Sequence, residues 1–506
     1  MKRILKLFII VLPLVCLQGC QKWLEATSSS QISGEQLFSD RAGFHEALSG
    51  VYMLMGSTSC YGRNYTWFVN ELTASPLIPQ NGNIYQQLQN QKYTNAVSFP
   101  YFESMWESGY NVIANVNKML LELENHRDVI TDDLEYSLIK GELLAIRAYL
   151  HFDLLKMFGL PSWDGENASK LAIPYVTVYQ KEPSVQHSYT ETVALLNADI
   201  DQALELLAVD PIRGSVPEGF DEALNADGFW SRRTFHLNWY AVRALKARVL
   251  MWQKKYDEAA ALAREILDET LEKEVVHWID PVEQLNTIKN DDRDYTFSCE
   301  HLFTLEISDY FDIVSEYFFK EAGNGSNNLL LSSEVVFNLF QSPYIYTDEG
   351  YTTLVGDVRG PAMMLTYGQS GYRINKYFSS SSGTYRNRQP MIRIAELCMI
   401  CAEVAIRKGD LDTAADYFNM VNSHRGVEDK VTPKNSILGQ SPHTFFWEEF
   451  VREFIAEGQI YYLRKRCGRY LTDSASNVVV ELFPFELDLL YPYPTEETSY
   501  GHIQEK

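Results

Sequence analysis

Two distant stretches of the chain share one spacing of alanine, and this repeat constrains the fold more than any other sequence feature. Residues 247–260 (ARVLMWQKKYDEAA) and 402–415 (AEVAIRKGDLDTAA) align without a gap, with alanine at the first position and at the last two. Small side chains let two helices pack closely. Each stretch therefore predicts a helix, a tight polar turn and a second, antiparallel helix opened by Asp257 or Asp412.

This spacing resembles a tetratricopeptide unit. Helical periodicity also runs through residues 103–126, 132–159 and 188–209. We therefore predict a mostly α-helical protein of stacked, non-identical hairpins with long loop insertions and few short strands. Residues 214–235 and about 270–390 lack sustained helical period, and loops of that length in a compact protein are usually functional or disordered.

The N-terminus has a basic start and an apolar run that ends at Cys20. The run is too short to span a membrane and is typical of a secretory signal. Leu17-Gln18-Gly19-Cys20 resembles a bacterial lipobox, which implies cleavage of a signal peptide at 1–19 and lipidation of Cys20, for example with palmitate. The alternative is an ordinary secretory signal with an incidental cysteine.

The acidic charge balance narrows the classes of partner. The formal net charge is −23, which argues against nucleic acid or anionic lipid as the main partner, because both need a basic face. No later segment approaches 18 consecutive apolar residues. We expect the protein to contact the membrane through its lipid anchor only.

Motifs that carry chemistry are missing from the sequence. Cys398 and Cys401 form a C-x-x-C pair inside a helix-period stretch without accompanying ligands, which favours core cysteines over a metal site. Phosphate-binding, zinc-protease, nucleophile-elbow and complete EF-hand patterns do not occur. We predict a protein that is not an enzyme and needs no cofactor, and we leave calcium in an acidic loop open.

Five motifs resemble those of the SusD/RagB family of outer-membrane nutrient-binding lipoproteins. WESGYNVIANVN contributes Trp106, Tyr110, Ile113 and Asn117. The others are GELLAIRAYLHFDLLKMFG, IRIAELCMICAEVAIRKGDLDTAADYFNMVNSHRG, REFIAEGQIYYLRKRCGR and LLYPYPTEE. In the fourth, Ile460 and Leu463 replace an expected arginine and aspartate. Regular helical placement favours a scaffold role for the motif residues Glu142, Arg147, Asp153 and Glu396.

The resemblance implies a single SusD-like domain over residues 20–506. Its parts would be an N-terminal region to about 270 with a ligand insertion near 60–95, a loop-rich middle to about 390 and a helical C-terminal region. It also implies a surface-exposed protein, anchored to the outer membrane, that captures an oligosaccharide or polysaccharide as the lid of a SusC-like TonB-dependent transporter. A peptide-binding lid, a surface glycoside hydrolase and a pure helical scaffold stay open as alternatives.

Aromatic and polar side chains indicate where a sugar would bind. The chain has 31 tyrosines, 26 phenylalanines and 9 tryptophans, and an aromatic ring packs against the C–H face of a sugar while amide, carboxylate and guanidinium groups bind its hydroxyls. Residues 60–93 combine both kinds of side chain in what we predict to be a largely non-helical insertion. The candidate ligand-binding residues are Trp67, the strongest, with Tyr61, Arg63, Asn70, Glu71, Asn83 and Tyr85, and more weakly Tyr310, Phe311 and Tyr317.

Overall fold

The computed structural model of the chain is mostly helical, as predicted. It describes residues 34–79, 83–214, 220–287, 289–319, 329–341, 345–347, 350–352, 356–368, 371–378, 383–427, 430–432, 442–467, 489–500 and 503. The predicted signal peptide 1–19 and the lipidation site Cys20 lie outside these residues. The proposed division of the chain into three regions stays a prediction.

The helices form a stack of hairpins. The long helices α5 and α6 pack on each other, α7 packs on α6 and α9, and α10 joins α9 to α14, which in turn packs on α15 and α16. The helices are α1 Gly34–Leu37, α2 Arg41–Met55, α3 Val69–Ala74, α4 Asn83–Gln89, α5 Phe99–Asn125, α6 Asp133–Phe158, α7 Tyr189–Leu206, α8 Phe220–Ala223, α9 Trp239–Trp252, α10 Tyr256–Glu272, α11 Pro281–Asn286, α12 Tyr310–Phe318, α13 Ser333–Val336, α14 Ile394–Lys408, α15 Leu411–Ser423, α16 Pro442–Phe454, α17 Gln459–Cys467 and α18 Thr495–Ser499.

The two repeated stretches fold in the same way, which confirms the prediction from their alanine spacing. The turn between α9 and α10 contains Lys254 at φ +60°, and the aligned position between α14 and α15 is Gly409 at φ +74°. Both turns therefore use the same left-handed conformation, although only glycine adopts it without a steric cost. All six alanines of the repeat are buried, so the helices of each hairpin approach closely.

The strands form small antiparallel sheets beside the helices. One sheet has the order β1-β3-β7-β6, with Leu77 opposite Leu331 and Thr366 opposite Arg373. β2, which lies in the segment CEHLFTLEIS, pairs with β8, and β4 pairs with β5. The strands are β1 Leu77–Pro79, β2 His301–Glu306, β3 Leu329–Leu331, β4 Ile345–Thr347, β5 Gly350–Thr352, β6 Leu365–Gly368, β7 Gly371–Ile374 and β8 Arg388–Arg393.

The charged motif residues of α6 and α14 pair inside the scaffold, as predicted. Arg147 holds Asp199 of α7 through two hydrogen bonds of 2.7 and 2.8 Å, and its Nη1 donates to Asn117 of α5 at 2.8 Å. Arg248 of α9 pairs with Glu396 of α14. These contacts cross from one helix to the next, so they fix the order of the stack. Asp153 pairs with Lys156, and Glu142 pairs with Arg233 and His236.

A larger buried network of charges joins the turn before β2, strand β8, the turn after α15 and helix α16. Arg425 donates to Glu300 at 2.7 Å and to Glu453 at 2.7 Å, and all three side chains are fully buried. Arg393 reaches Glu453 at 2.6 Å. The network comprises the cations Arg359, Lys376, Arg393, Arg425 and Arg452 and the carboxylates Glu300, Asp357, Glu449, Glu453 and Glu457.

The first prediction concerns the centre of this network. Arg425→Met leaves Glu300 and Glu453 short of a buried partner, and we expect the free energy of unfolding to fall by about 3–5 kcal/mol. Urea denaturation measures the change. Lys408→Met, which removes one partner of the exposed pair with Asp257, is the control and should cost below about 1 kcal/mol. Equal losses in the two variants would contradict the role given to the network.

The second prediction concerns Glu142 and acid. Burial alone would raise its pKa, but His236 and Arg233 outweigh burial and hold the pKa at about 2, below the ordinary 4.5. The carboxylate therefore stabilises the fold fully above about pH 4.5, and this contribution is lost as the pH falls towards 2. Glu142→Gln should be less stable than the wild type by about 3 kcal/mol at pH 7.

Urea denaturation at a series of pH values checks this second prediction. The difference in unfolding free energy between wild type and Glu142→Gln should narrow as the pH falls from about 4.5 towards 2. A difference that stays constant over that window would show that the carboxylate charge is not what stabilises the site.

Candidate functional site

The predicted ligand insertion is a compact structure packed against the rest of the protein. A run of turns over residues 57–68 follows α2 and leads into α3, and α4 comes next. The turns are tight at Gly62, where an added Cβ would lie 2.3 Å from the Gly56 carbonyl oxygen. The segment contains two short helices, whereas the sequence predicted a largely non-helical insertion.

Six of the candidate ligand-binding residues are buried. Trp67, the strongest candidate, is 0% exposed, and its Nε1 donates to the Tyr310 hydroxyl at 3.0 Å. A ligand does not reach such a side chain in this conformation, so we revise the predicted ligand role of these residues to packing and anchoring. A loss of sugar affinity in Trp67→Ala would report damage to the segment. The six buried residues are Tyr61, Trp67, Asn70, Glu71, Tyr85 and Tyr310.

Glu71 anchors the insertion to the turn between α16 and α17. Its two carboxylate oxygens accept hydrogen bonds of 2.8 Å from the backbone N–H groups of Ala456 and Gly458. Burial raises the pKa of Glu71 to about 7, and these two hydrogen bonds lower it in part. Gly458 has φ +75°, and a Cβ there would lie 2.6 Å from the Thr66 carbonyl oxygen. The glycine of the Glu-Gly motif is therefore required for close contact with the insertion.

Three side chains of the insertion and its neighbours reach the surface together. Arg63, Tyr101 of α5 and Tyr317 of α12 are each half-buried. The Arg63 guanidinium lies 5.4 Å from the Phe68 ring centroid, 5.8 Å from that of Tyr101 and 5.9 Å from that of Tyr317. Arg63 Nη1 also donates to the Tyr317 hydroxyl at 3.0 Å. We call Arg63, Tyr101, Tyr317 and the underlying Phe68 the Arg63 cluster.

Buried rings support the Arg63 cluster from below. Phe68 contacts Tyr85, Tyr101 and Tyr317 with ring centroids 5.1–5.7 Å apart, and Trp67 contacts Tyr317 at 5.1 Å. Burial raises the pKa of Tyr101, and the nearby Arg63 lowers it in part. The Tyr101 hydroxyl therefore stays protonated near neutral pH and can donate as well as accept. Half-exposed rings beside hydroxyls and a guanidinium suit a neutral polyhydroxylated ligand.

Tyr101 was missing from the candidates chosen from the sequence. It lies in the first turn of α5, outside residues 60–93, whereas a sugar-binding ring was expected within the insertion or in the later loops. A useful signal was the run SFPYF, which places three aromatic residues at the start of a helix directly after the insertion.

The remaining candidates do not join this cluster. Phe311 is half-buried and packs with Phe319 and Phe378 at 5.8 and 6.2 Å between ring centroids. The side chain of Asn83 lies outside the part of the molecule that the structure describes. The candidates that the structure does bring together at the surface are therefore Arg63 and Tyr317.

The cysteine pair lies in the core, as predicted. Cys398 and Cys401 are buried on α14, both thiols are free, and burial raises the pKa of Cys401 to about 11. Within the described ranges, His, Cys, Asp and Glu side chains do not gather in groups of three that could hold a metal ion. A search of the same ranges for a helix long and apolar enough to cross a membrane found none.

Solved structures share this fold. A SusD superfamily protein of Bacteroides thetaiotaomicron superposes with a TM-score of 0.67 at 14% identity, over 92% of this chain and 97% of that one. A second from the same organism gives 0.61 at 21% identity, over 84% and 89%. A SusD-like carbohydrate binding protein of Bacteroides vulgatus gives 0.60 at 16% identity, over 85% and 84%.

Sequence comparisons point to the same family. A SusD-like protein of Formosa agariphila is 22% identical over 147 residues, and this match spans only 28% of either chain. A family model described as starch-binding and associating with the outer membrane matches residues 22–216, and the model of the SusD family matches residues 322–470. The two matched ranges together cover more than half of the sequence, and the chain belongs to the SusD/RagB family.

Proposed function

We propose that this protein captures a glycan at the cell surface and delivers it to a SusC-like TonB-dependent transporter, on which it acts as a lid. The observation that carries the proposal is the Arg63 cluster, which offers two half-exposed tyrosine rings, their hydroxyls and a guanidinium at one place. Membership of the SusD/RagB family and the likeness to a carbohydrate binding protein of Bacteroides vulgatus support it. Binding, without bond cleavage, is the proposed activity.

The geometry suits capture because the cluster is already in place. Tyr317 is fixed by its hydrogen bond to Arg63 and by ring contacts with Trp67 and Phe68. A ligand that packs on a fixed ring loses less conformational entropy of the protein on binding. The ring face binds the C–H groups of a sugar, and the guanidinium and hydroxyls bind its oxygens.

The anchor is the second part of the proposal. Cleavage before Cys20 and lipidation of its thiol would hold the protein at the outer membrane, with the acidic body in water. Stable attachment needs more than one acyl chain, as a lipidated N-terminal cysteine of this kind would provide.

The third prediction tests the Arg63 cluster. Tyr317→Ala and Tyr101→Ala should each weaken binding of the recognised glycan about tenfold, because each removes a stacking face. Calorimetry with the detergent-solubilised full chain against a panel of polysaccharides and oligopeptides measures affinity, and chromatography of the same samples detects cleavage products. Tyr179→Ala is the control, because Tyr179 is 53% exposed and lies outside the cluster.

The other possible results of this experiment distinguish between the alternative functions. Unchanged affinity in both cluster variants, with thermal stability also unchanged, would remove the cluster from the binding site. Saturable binding of oligopeptides without binding of sugars would indicate a peptide-binding lid of the same architecture. Released product would indicate a surface hydrolase.

The fourth prediction tests the anchor. Cys20→Ala removes the thiol that accepts the lipid, so the protein should lose its incorporation of labelled palmitate and appear in the soluble fraction or as an uncleaved precursor. Cys60→Ala is the control, because Cys60 is fully buried in the folded protein. Full membrane retention and labelling of Cys20→Ala would show that the lipobox resemblance is misleading.

A further inference from the structure

A second surface cavity lies far from the Arg63 cluster in the sequence, in the long irregular segment before α9. The open groove has a volume of about 750 Å³ and is lined by Pro211, Ile212, described residues between 220 and 235, Lys273 and Val275. We call it the 211–235 groove. It shares no lining residue with the Arg63 cluster, so its role is a separate question.

The charge of the groove is opposite to that of the protein. Its described lining includes Arg232, Arg233 and Lys273 and contains no aspartate or glutamate, although the whole chain carries a net charge of −23. Arg233 is buried and neutralised by Asp210 and Glu142. The charges available to a ligand are therefore those of Arg232 and Lys273.

Both available cations have weak partners. Arg232 is 56% exposed, and its one ion pair within the described ranges is with the similarly exposed Glu306, at 3.2 Å. Lys273 is exposed, and its Nζ lies 3.4 Å from the Tyr240 hydroxyl. Exposed ion pairs contribute little to stability, so a carboxylate in the groove can take over these cations at low cost.

One aromatic residue of the groove adds a feature that suits a sugar. Phe235 is half-buried, and the Arg232 guanidinium lies 3.7 Å from its ring centroid. Trp230 also lines the groove but is only 1% exposed, so a ligand does not reach it in this conformation, as for Trp67.

We propose that the 211–235 groove is a second ligand site, selective for an acidic oligosaccharide that carries carboxylates. Arg232 and Lys273 bind the carboxylates, and Phe235 packs against a sugar ring. A neutral sugar would leave the two cations unused, and a simple anion would leave the Phe235 ring unused. The proposal does not depend on the Arg63 cluster.

The fifth prediction tests this site with the detergent-solubilised full chain. Calorimetry should show saturable binding of trigalacturonate and at least about tenfold weaker binding of the neutral galactotriose. The double variant Arg232→Gln/Lys273→Gln should weaken trigalacturonate binding about tenfold or more. Phe235→Leu, which removes the aromatic ring at unchanged charge, should weaken it several-fold.

A matched control separates the groove from general charge effects. Lys246→Gln/Lys408→Gln removes the same charge at other surface positions and should leave trigalacturonate affinity within about twofold, as should Tyr317→Ala. Equal loss in the two double variants, or no saturable binding by the wild type, would overturn the proposal. Loss of trigalacturonate binding in Tyr317→Ala alone would assign the acidic sugar to the Arg63 cluster and also overturn it.

Discussion

The buried charge network around Glu453 is the constraint on which the rest of the structure depends. A carboxylate with no access to water is tolerated only when cations surround it in good geometry, and Glu453 has Arg393, Arg425 and Arg359 within 2.6–3.4 Å. These partners come from β8, the end of α15 and a loop. A shift of any of these elements would leave a charge unpaired, so the network sets their relative positions.

The buried charge network is connected to the candidate site through the turn between α16 and α17. Glu457 belongs to the network, and its neighbour Gly458 touches the insertion at Thr66 and donates its N–H to Glu71. The insertion in turn holds Arg63 and Phe68. The half-buried rings of the Arg63 cluster are therefore positioned by contacts that lie deep in the protein. This explains why so many residues near a candidate ligand surface are buried.

The sequence predicted the scaffold well because helix packing requires apolar and small residues at helical periodicity. The alanine repeat located two hairpins and their turns. The scaffold roles of Arg147, which pairs with Asp199, and of Glu396, which pairs with Arg248, followed from their helical placement. The site was predicted less well, since aromatic content does not distinguish a ring that faces a ligand from one that packs beneath it. The sequence ranked Trp67 above Tyr317, but the fold shows that Trp67 supports Tyr317 from the buried side. Likewise, no local pattern records that Tyr101 of α5 lies beside Arg63.

Residues near the C-terminus pack against the insertion, and these contacts affect when the insertion can fold. Asn70 bonds to Tyr462 at 3.1 Å and to Tyr491 at 2.9 Å, and Tyr491 also contacts Thr73. Partners separated by about 400 residues can meet only after ribosomal synthesis has passed the last of them, and contacts of such long range slow folding. The Arg63 cluster therefore acquires its native support late, when the C-terminal segment docks, and a nascent chain has no finished site while it is being made.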